Sequence, residues 1–170
     1  MIKSFIVTLI LFSISCTVKE DAAENHLNFA LIERKVINEG DPFAYELLLN
    51  ENLIYGYDVL KISILAANKY KWPQAYYTIF DELENSSLDI DNLDSATRLY
   101  AIYNLQLSAD LNYPPALNKL SNCYRIGKYF ALDSLKAIEL DKKYSYYRKL
   151  IIESDSLKPN KDKSEYYLSR

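Results

Sequence analysis

The sequence predicts an all-α protein built from stacked helical hairpins, an α-solenoid of about three degenerate repeats with a C-terminal helix after them. The 170 residues include only 3 glycines, and hydrophobic residues make up 49% of the chain, which favours a helical core over β structure or disorder. A helix-start signal also occurs three times, as Asp41-Pro42-Phe43-Ala44, Trp72-Pro73-Gln74-Ala75 and Tyr113-Pro114-Pro115-Ala116. Its return at roughly the length of a helical hairpin indicates a repeat array.

The N-terminal residues 1–15 are predicted to be a secretory signal. Lys3 precedes an apolar run of about ten residues, which is too short to span a bilayer. The small residues that lead to Cys16 resemble the lipobox of bacterial lipoproteins, with Ser13 where that motif usually has leucine. The resemblance implies that Cys16 is lipidated and begins the mature protein. The alternative is ordinary signal cleavage that leaves a free thiol.

Residues 16–25 are predicted to form a flexible polar tether. Within it, Lys19-Glu20-Asp21 resembles the surface-export signal of Bacteroidota lipoproteins, and a solvated charged linker is the alternative. Together these features predict a lipid-anchored protein of the bacterial envelope, either on the periplasmic side of the outer membrane or at the cell surface. The net charge of −3 and the lack of a basic stripe argue against a nucleic-acid partner.

The helical domain is predicted over residues 26–153, followed by a polar tail over residues 154–170. The first helix, residues 26–39, carries Leu27, Ala30, Leu31, Arg34 and Ile37 at helical spacing and ends at Gly40. The prolines start the second, fourth and sixth helices, residues 42–53, 73–83 and 114–125.

The remaining helices alternate with these. The third, residues 57–70, has Leu60, Ile64, Leu65 and Ala67 as apolar positions. After a polar loop over residues 85–92, Asp94 or Ser95 caps a fifth helix over residues 96–111, and Asn112 ends it. A cap at Asp133 or Ser134 starts the last helix, which extends to residue 153.

The third copy has a spacing that resembles the Sel-one-like repeat, a tetratricopeptide-like helical hairpin. The residues that carry the resemblance are Ser108-Ala109, Ala116, Leu120, Tyr124, Gly127, Asp133 and Lys136-Ala137. The first copy keeps Gly40, Ala44 and Leu48, and the second keeps Ala66-Ala67, Ala75 and Ile79. The resemblance covers about residues 26–147. It implies close helix packing at the alanines and a binding groove along the first helix of each hairpin.

The sequence predicts no catalytic residue, no cofactor and no metal site. The only histidine, His26, has no nucleophile pattern beside it. Cys123 is expected in the core. Asp89, Asp91 and Asp94 do not have EF-hand spacing, so a polar loop with a helix cap explains them better. The carboxylates of Asp81, Glu82 and Glu84 are expected on a solvated helix face.

The 16 tyrosines are the most suggestive surface feature. Adjacent pairs such as Tyr76-Tyr77 are not expected to face the core together, so one of each pair should point outward or into a groove. Tyrosine is enriched in protein interfaces, although core-boundary positions are an equal alternative. The candidate partner-binding residues, chosen from helix faces and from the resemblance, are Tyr57, Lys61, Tyr100, Tyr103, Asn104, Tyr144 and Tyr147.

These features predict a non-enzymatic lipoprotein that binds another protein. Two roles fit, an immunity protein that neutralises a toxin effector and an adaptor in an envelope complex. One alternative is an envelope enzyme that acts on glycan or peptide through a pair of carboxylates from two hairpins. Another is a purely structural surface lipoprotein.

Overall fold

The protein is all-helical over residues 28–55, 59–86 and 90–155, the ranges that the computed structural model describes. The predicted all-α class is therefore confirmed for these ranges. Residues 1–27, with Cys16 and His26, lie outside them, as do Tyr57, Asp89 and the tail from residue 156. Within them the helices are α1 (Phe29–Arg34), continued by a π-helical turn (Lys35–Glu39), α2 (Pro42–Tyr55), α3 (Leu60–Tyr70), α4 (Pro73–Ser86), a 3-10 turn (Ile90–Asn92), α5 (Ser95–Asp110), α6 (Pro114–Ile126) and α7 (Ser134–Asp155).

Three of the turns between helices share one backbone geometry. Gly40, Lys71 and Asn112 each lie two residues before a helix-starting proline, and their φ angles are 67°, 57° and 62°. A left-handed residue reverses the chain after a helix, and the proline then starts the next helix at no hydrogen-bond cost. Gly40 and Asn112 end their helices as the sequence predicts. Lys71 gives no such signal, because lysine seldom adopts this conformation.

The helices that start with proline bury equivalent positions. The alanine two residues after each proline is 0% exposed. The larger apolar residue six positions after the proline is also buried. An alanine at a helix crossing lets two backbones approach closely, so these positions set the packing distance. The residues concerned are Ala44, Ala75 and Ala116, then Leu48, Ile79 and Leu120.

Aspartates cap α5 and α7, two of the helices that lack an initial proline. Asp94 Oδ1 accepts from the backbone N–H groups of Ala96 and Thr97 at 3.0 and 3.1 Å, which confirms the predicted cap of α5. Asp133 Oδ1 accepts from Lys136 N at 2.9 Å at the start of α7. Asp94 is thus occupied as a cap.

Helix α4 lies between two hydrophobic clusters. One cluster involves α1 to α4, and the other extends from α4 to α7. Tyr76 on α4 is only 8% exposed in the first cluster, whereas the neighbouring Tyr77 packs against the second. Both tyrosines thus pack against core clusters, because the helix has a core on both sides, so the expectation that one of them points outward or into a groove is wrong for this pair. In the pair Tyr146-Tyr147, Tyr146 is 60% exposed, as expected.

The buried faces of α1 and α3 differ from those expected. Ile32 of α1 and Val36 of the π-helical turn after it are fully buried, in place of Leu31 and Ile37, which are half-buried. In α3 the chain buries Ile62, Ser63 and Ala66 and leaves Leu65 40% exposed. The Ser63 hydroxyl is satisfied there because it donates to the Val59 carbonyl at 2.8 Å and lies 2.7 Å from the Tyr45 hydroxyl. The polar loop also hides a core residue, Ile90, which is 0% exposed.

From α3 to α7 each helix packs against the next helix along the chain, and α1 packs against α2. Side-chain hydrogen bonds also join helix ends. Lys69 Nζ and Tyr70 Oη both donate to the Ile37 carbonyl at 2.7 Å, which joins the end of α3 to the end of α1. Ser108 Oγ donates to the Pro73 carbonyl at 2.6 Å, which joins α5 to the start of α4. Across the described ranges, no helix has both the length and the apolarity needed to cross a bilayer.

Candidate functional site

A groove opens between α5 and α7, with α6 as its floor. We call it the α5–α7 groove. Its cavity volume is about 310 Å³, within the range of ligand-binding clefts. Its described lining is Tyr103, Gln106, Leu107, Ala109, Asp110, Asn112, Leu117, Leu120, Tyr124, Lys136, Leu140 and Lys143.

Helical spacing explains how the walls of the α5–α7 groove are built. Tyr103, Leu107 and Asp110 lie four and three residues apart, so they form one stripe along α5. Lys136, Leu140 and Lys143 form the matching stripe on α7. On both walls an apolar residue lies between polar ones. The groove therefore has an apolar centre and a polar rim, which is the usual anatomy of a protein interface.

The two walls of the α5–α7 groove carry opposite charges. Asp110 lies on the α5 wall, and Lys136 and Lys143 lie on the α7 wall. Glu139 binds both lysines, at 3.4 and 3.2 Å, and these hydrogen bonds hold the pKa of its carboxyl below the usual range. The α7 wall keeps a net positive charge because two lysines share this one carboxylate. A ligand that fills the groove must therefore meet both signs of charge.

The structure brings only some of the predicted partner-binding residues to a surface groove. Tyr103 is 57% exposed on the wall of the α5–α7 groove. Tyr100 is 40% exposed one turn earlier on α5. Lys61 is exposed on the first turn of α3 and does not line the α5–α7 groove. Tyr144 and Tyr147 are half-buried and pack against the second core cluster.

Asn104 has a different place from the one expected. It is 2% exposed, and its side-chain nitrogen donates to the Tyr100 carbonyl one turn earlier in α5 at 2.7 Å. Its position, ten residues before Pro114, corresponds to those of Ile32 and Ser63, which are also buried. A partner at the surface would therefore not reach Asn104, contrary to the prediction.

A second groove lies where the end of α7 passes the start of α6. We call it the α6–α7 groove. It has a volume of about 460 Å³ and is mostly apolar. The residues that line it are Tyr113, Pro114, Pro115, Asn118, Tyr144, Arg148, Ile151 and Ile152. Apart from Tyr144, sequence reasoning missed this groove, because it arises from where α6 begins relative to α7.

The carboxylates of α4 are not on a solvated face, contrary to expectation. The side chain of Glu84 is only 13% exposed, and it binds Lys119, Lys128 and Tyr129. Burial opposes its charge, but the hydrogen bonds from Lys119 and Tyr129 outweigh burial and lower its pKa. Burial and the nearby Glu84 charge raise the pKa of Asp81. This cluster holds α4 against α6.

The half-buried hydroxyls of Tyr77 and Tyr113 and the buried thiol of Cys123 stay protonated near neutral pH. Burial raises the pKa of Tyr77 and that of Tyr113 to about 12. Cys123 is 3% exposed, as expected for a core residue, and burial raises the pKa of its thiol. A thiol must ionise to act as a nucleophile, so Cys123 is suited to packing. Among the residues that the structure covers, no group of three or more His, Cys, Asp or Glu side chains is placed to hold a metal ion.

Comparison with protein-family models gives no match to this chain, and searches of curated proteins and of solved structures give none either.

Proposed function

We propose that this chain is a Sel-one-like helical-repeat lipoprotein of the bacterial envelope that binds another protein through the α5–α7 groove. The observation that carries the proposal is Tyr103, a large side chain 57% exposed on the wall of that groove. Large exposed aromatic side chains next to an apolar cleft are typical of interface hot spots. Leu99, one turn earlier on α5 and 64% exposed, extends the apolar surface.

The repeat arrangement is supported by contacts that recur between hairpins. Trp72, the residue before Pro73, packs against Tyr45 of the preceding hairpin with ring centroids 5.6 Å apart. Tyr113, the residue before Pro114, packs in the same way against Tyr77 at 5.7 Å. The aromatic residue before each of these prolines thus packs against the start of the preceding proline-initiated helix, on Tyr45 three residues after Pro42 and on Tyr77 four residues after Pro73. This is the nearest-neighbour packing expected of a solenoid.

The envelope location rests on the sequence alone. Cys16, after its short apolar segment, would carry the lipid, and residues 16–25 would hold the helical domain away from the membrane. No cofactor or metal is part of the proposal. Asp110 is the only carboxylate in the described lining of the α5–α7 groove, so the lining does not favour hydrolysis by a carboxylate pair.

Affinity capture from native membranes tests the proposal when matched variants are used. The full-length chain should retain one specific partner, and Tyr103→Ala should lose most of it. Ile126→Ala is the control, because Ile126 is 68% exposed but lines neither groove. Equal retention by both variants would refute binding through this groove.

The two proposed roles differ in the partner they require. An immunity protein would bind and inhibit a toxin. The product of the adjacent gene is the first candidate for that toxin. Purified protein should then suppress that toxin's activity in proportion to complex formed. An adaptor would bind its partner without inhibition.

A further inference from the structure

The α6–α7 groove exists because one face of α7 extends past the helix that covers it. Tyr144 is half-buried against the second core cluster, while Arg148, Ile151 and Ile152 follow on the same side within two turns. α6 begins at Pro114, so no helix in the described ranges lies over these last residues. Ile151 and Ile152 are 43% and 58% exposed. An apolar cleft that stays open to water in this way marks a binding surface.

The described lining of the α6–α7 groove is positively charged, and the acidic Glu153 in the depression next to it binds Lys149 at 3.8 Å. Arg148 is exposed, and in the described part of the chain it has no carboxylate within ion-pairing distance. Its guanidinium lies 5.9 Å from the Tyr144 ring centroid, which places it beside the groove. The positive end of the α6 dipole lies at Pro114 and Pro115, and no acidic residue in the first turn offsets it. The lining residues that the structure describes include no acidic side chain.

We propose that the α6–α7 groove binds a segment of a partner protein that carries an acidic side chain next to a large apolar one. The carboxylate pairs with the Arg148 guanidinium, which is suited to bidentate contact. The apolar side chain lies between Pro115 and Ile152. An unpaired arginine beside exposed isoleucines is the combination that concentrates binding energy in protein interfaces. This site is separate from the α5–α7 groove, and each proposal stands if the other fails.

Selection from a phage-displayed library of random peptides, with the full-length protein as target, tests this specificity. Wild-type protein should enrich peptides that carry Asp or Glu within two residues of Leu, Ile, Phe, Tyr or Trp. Arg148→Glu should lose that motif and enrich Lys or Arg instead. Lys142→Glu is the matched control, with the same charge change on an exposed position of α7 outside the groove. It should select the wild-type motif.

A synthetic copy of the most enriched peptide gives the quantitative test. We expect Arg148→Glu to weaken its binding at least about tenfold and Ile152→Ser about threefold to tenfold, with Lys142→Glu within about twofold. Both groove positions are exposed, so the variants should keep the wild-type helical circular dichroism. No enrichment, an enriched motif without an acidic residue, or equal binding by Arg148→Glu would overturn the proposal.

Two other results would overturn the proposal, because each would assign a different occupant to the α6–α7 groove. A concentration-dependent dimer that Arg148→Glu dissociates would assign the groove to a second copy of the chain. Peptide binding that appears only after removal of residues 156–170 would assign it to the chain's own C-terminal residues.

Discussion

The Tyr129 hydroxyl donates to Glu84 Oε1 at 2.8 Å and so connects the turn after α6 with the end of α4. The same carboxylate binds Lys119 of α6 and lies 3.7 Å from Lys128 Nζ. A carboxylate this little exposed is stable in its charged form only because charged and hydroxyl donors surround it. The cluster is therefore a polar connection between α4, α6 and the turn after α6.

Replacement of Glu84 by Gln should lower the free energy of unfolding by about 1–3 kcal/mol at pH 7, because two lysines and a hydroxyl lose a charged partner. The folded protein lowers the pKa of Glu84, so its stabilisation is present above the unfolded pKa and is lost as pH falls through the folded pKa. Urea unfolding at several pH values measures this effect. The difference in the free energy of unfolding between wild type and Glu84→Gln should become smaller below about pH 4. A difference that does not change with pH would contradict this account.

Replacement of Asp81 by Asn should have the opposite effect. Burial and the Glu84 charge raise the pKa of Asp81, so its ionised form destabilises the folded protein at neutral pH. Asp81→Asn should raise the free energy of unfolding at pH 7, and the gain should fade as pH drops and Asp81 becomes protonated in both states. Asp110→Asn, on an exposed position of α5, is the control and should change stability less. Destabilisation by Asp81→Asn at neutral pH would show that the attraction between the Asp81 and Lys119 charges outweighs burial.

Gly40 should tolerate a side chain much less well than Gly127. Both glycines have positive φ, 67° and 71°, so alanine at either costs about 1 kcal/mol in backbone strain. At Gly40 the new Cβ would also lie 2.9 Å from Tyr70 Cε1, whereas at Gly127 the nearest atom is Leu132 Cβ at 3.5 Å. Thermal unfolding should therefore show a larger fall in Tm for Gly40→Ala. Equal falls would mean that Tyr70 moves aside freely.

The order of the helices could be predicted from the sequence because its signals are local. Proline at the first helical position and Asp94 as a cap act within one turn, and the structure has helices starting at both. Lys71 and Ile90 could not be predicted in the same way. A strained lysine and a buried isoleucine in a polar loop are both imposed by tertiary packing, which overrides local preference.

The surface grooves were harder to predict than the helices. Periodicity places Tyr103 and Asn104 on α5, but a shift of one residue turns a side chain by about 100°, so one is exposed and the other buried. The burial of Tyr77 was equally hard to predict, because α4 lies between two hydrophobic clusters and has no solvent-facing side at that position. The α6–α7 groove depends on the overhang of α7, which no local motif encodes.

The lipid anchor is testable without reference to the helical domain. Cells that express the wild-type chain should incorporate radioactive palmitate into it, and Cys16→Ala should not be labelled, because the thiol is the proposed acylation site. Immunoblotting of both variants controls for expression. Unlabelled wild-type protein would refute the anchor.

Site-specific photo-cross-linking at Tyr103 tests the central claim most directly. A photoreactive phenylalanine analogue placed at position 103 of the chain, in its native host, should form one discrete cross-linked product with a partner protein. The same analogue at Ile126, which is exposed and outside both grooves, should form none. No product at position 103, or the same product at both positions, would contradict binding through the α5–α7 groove.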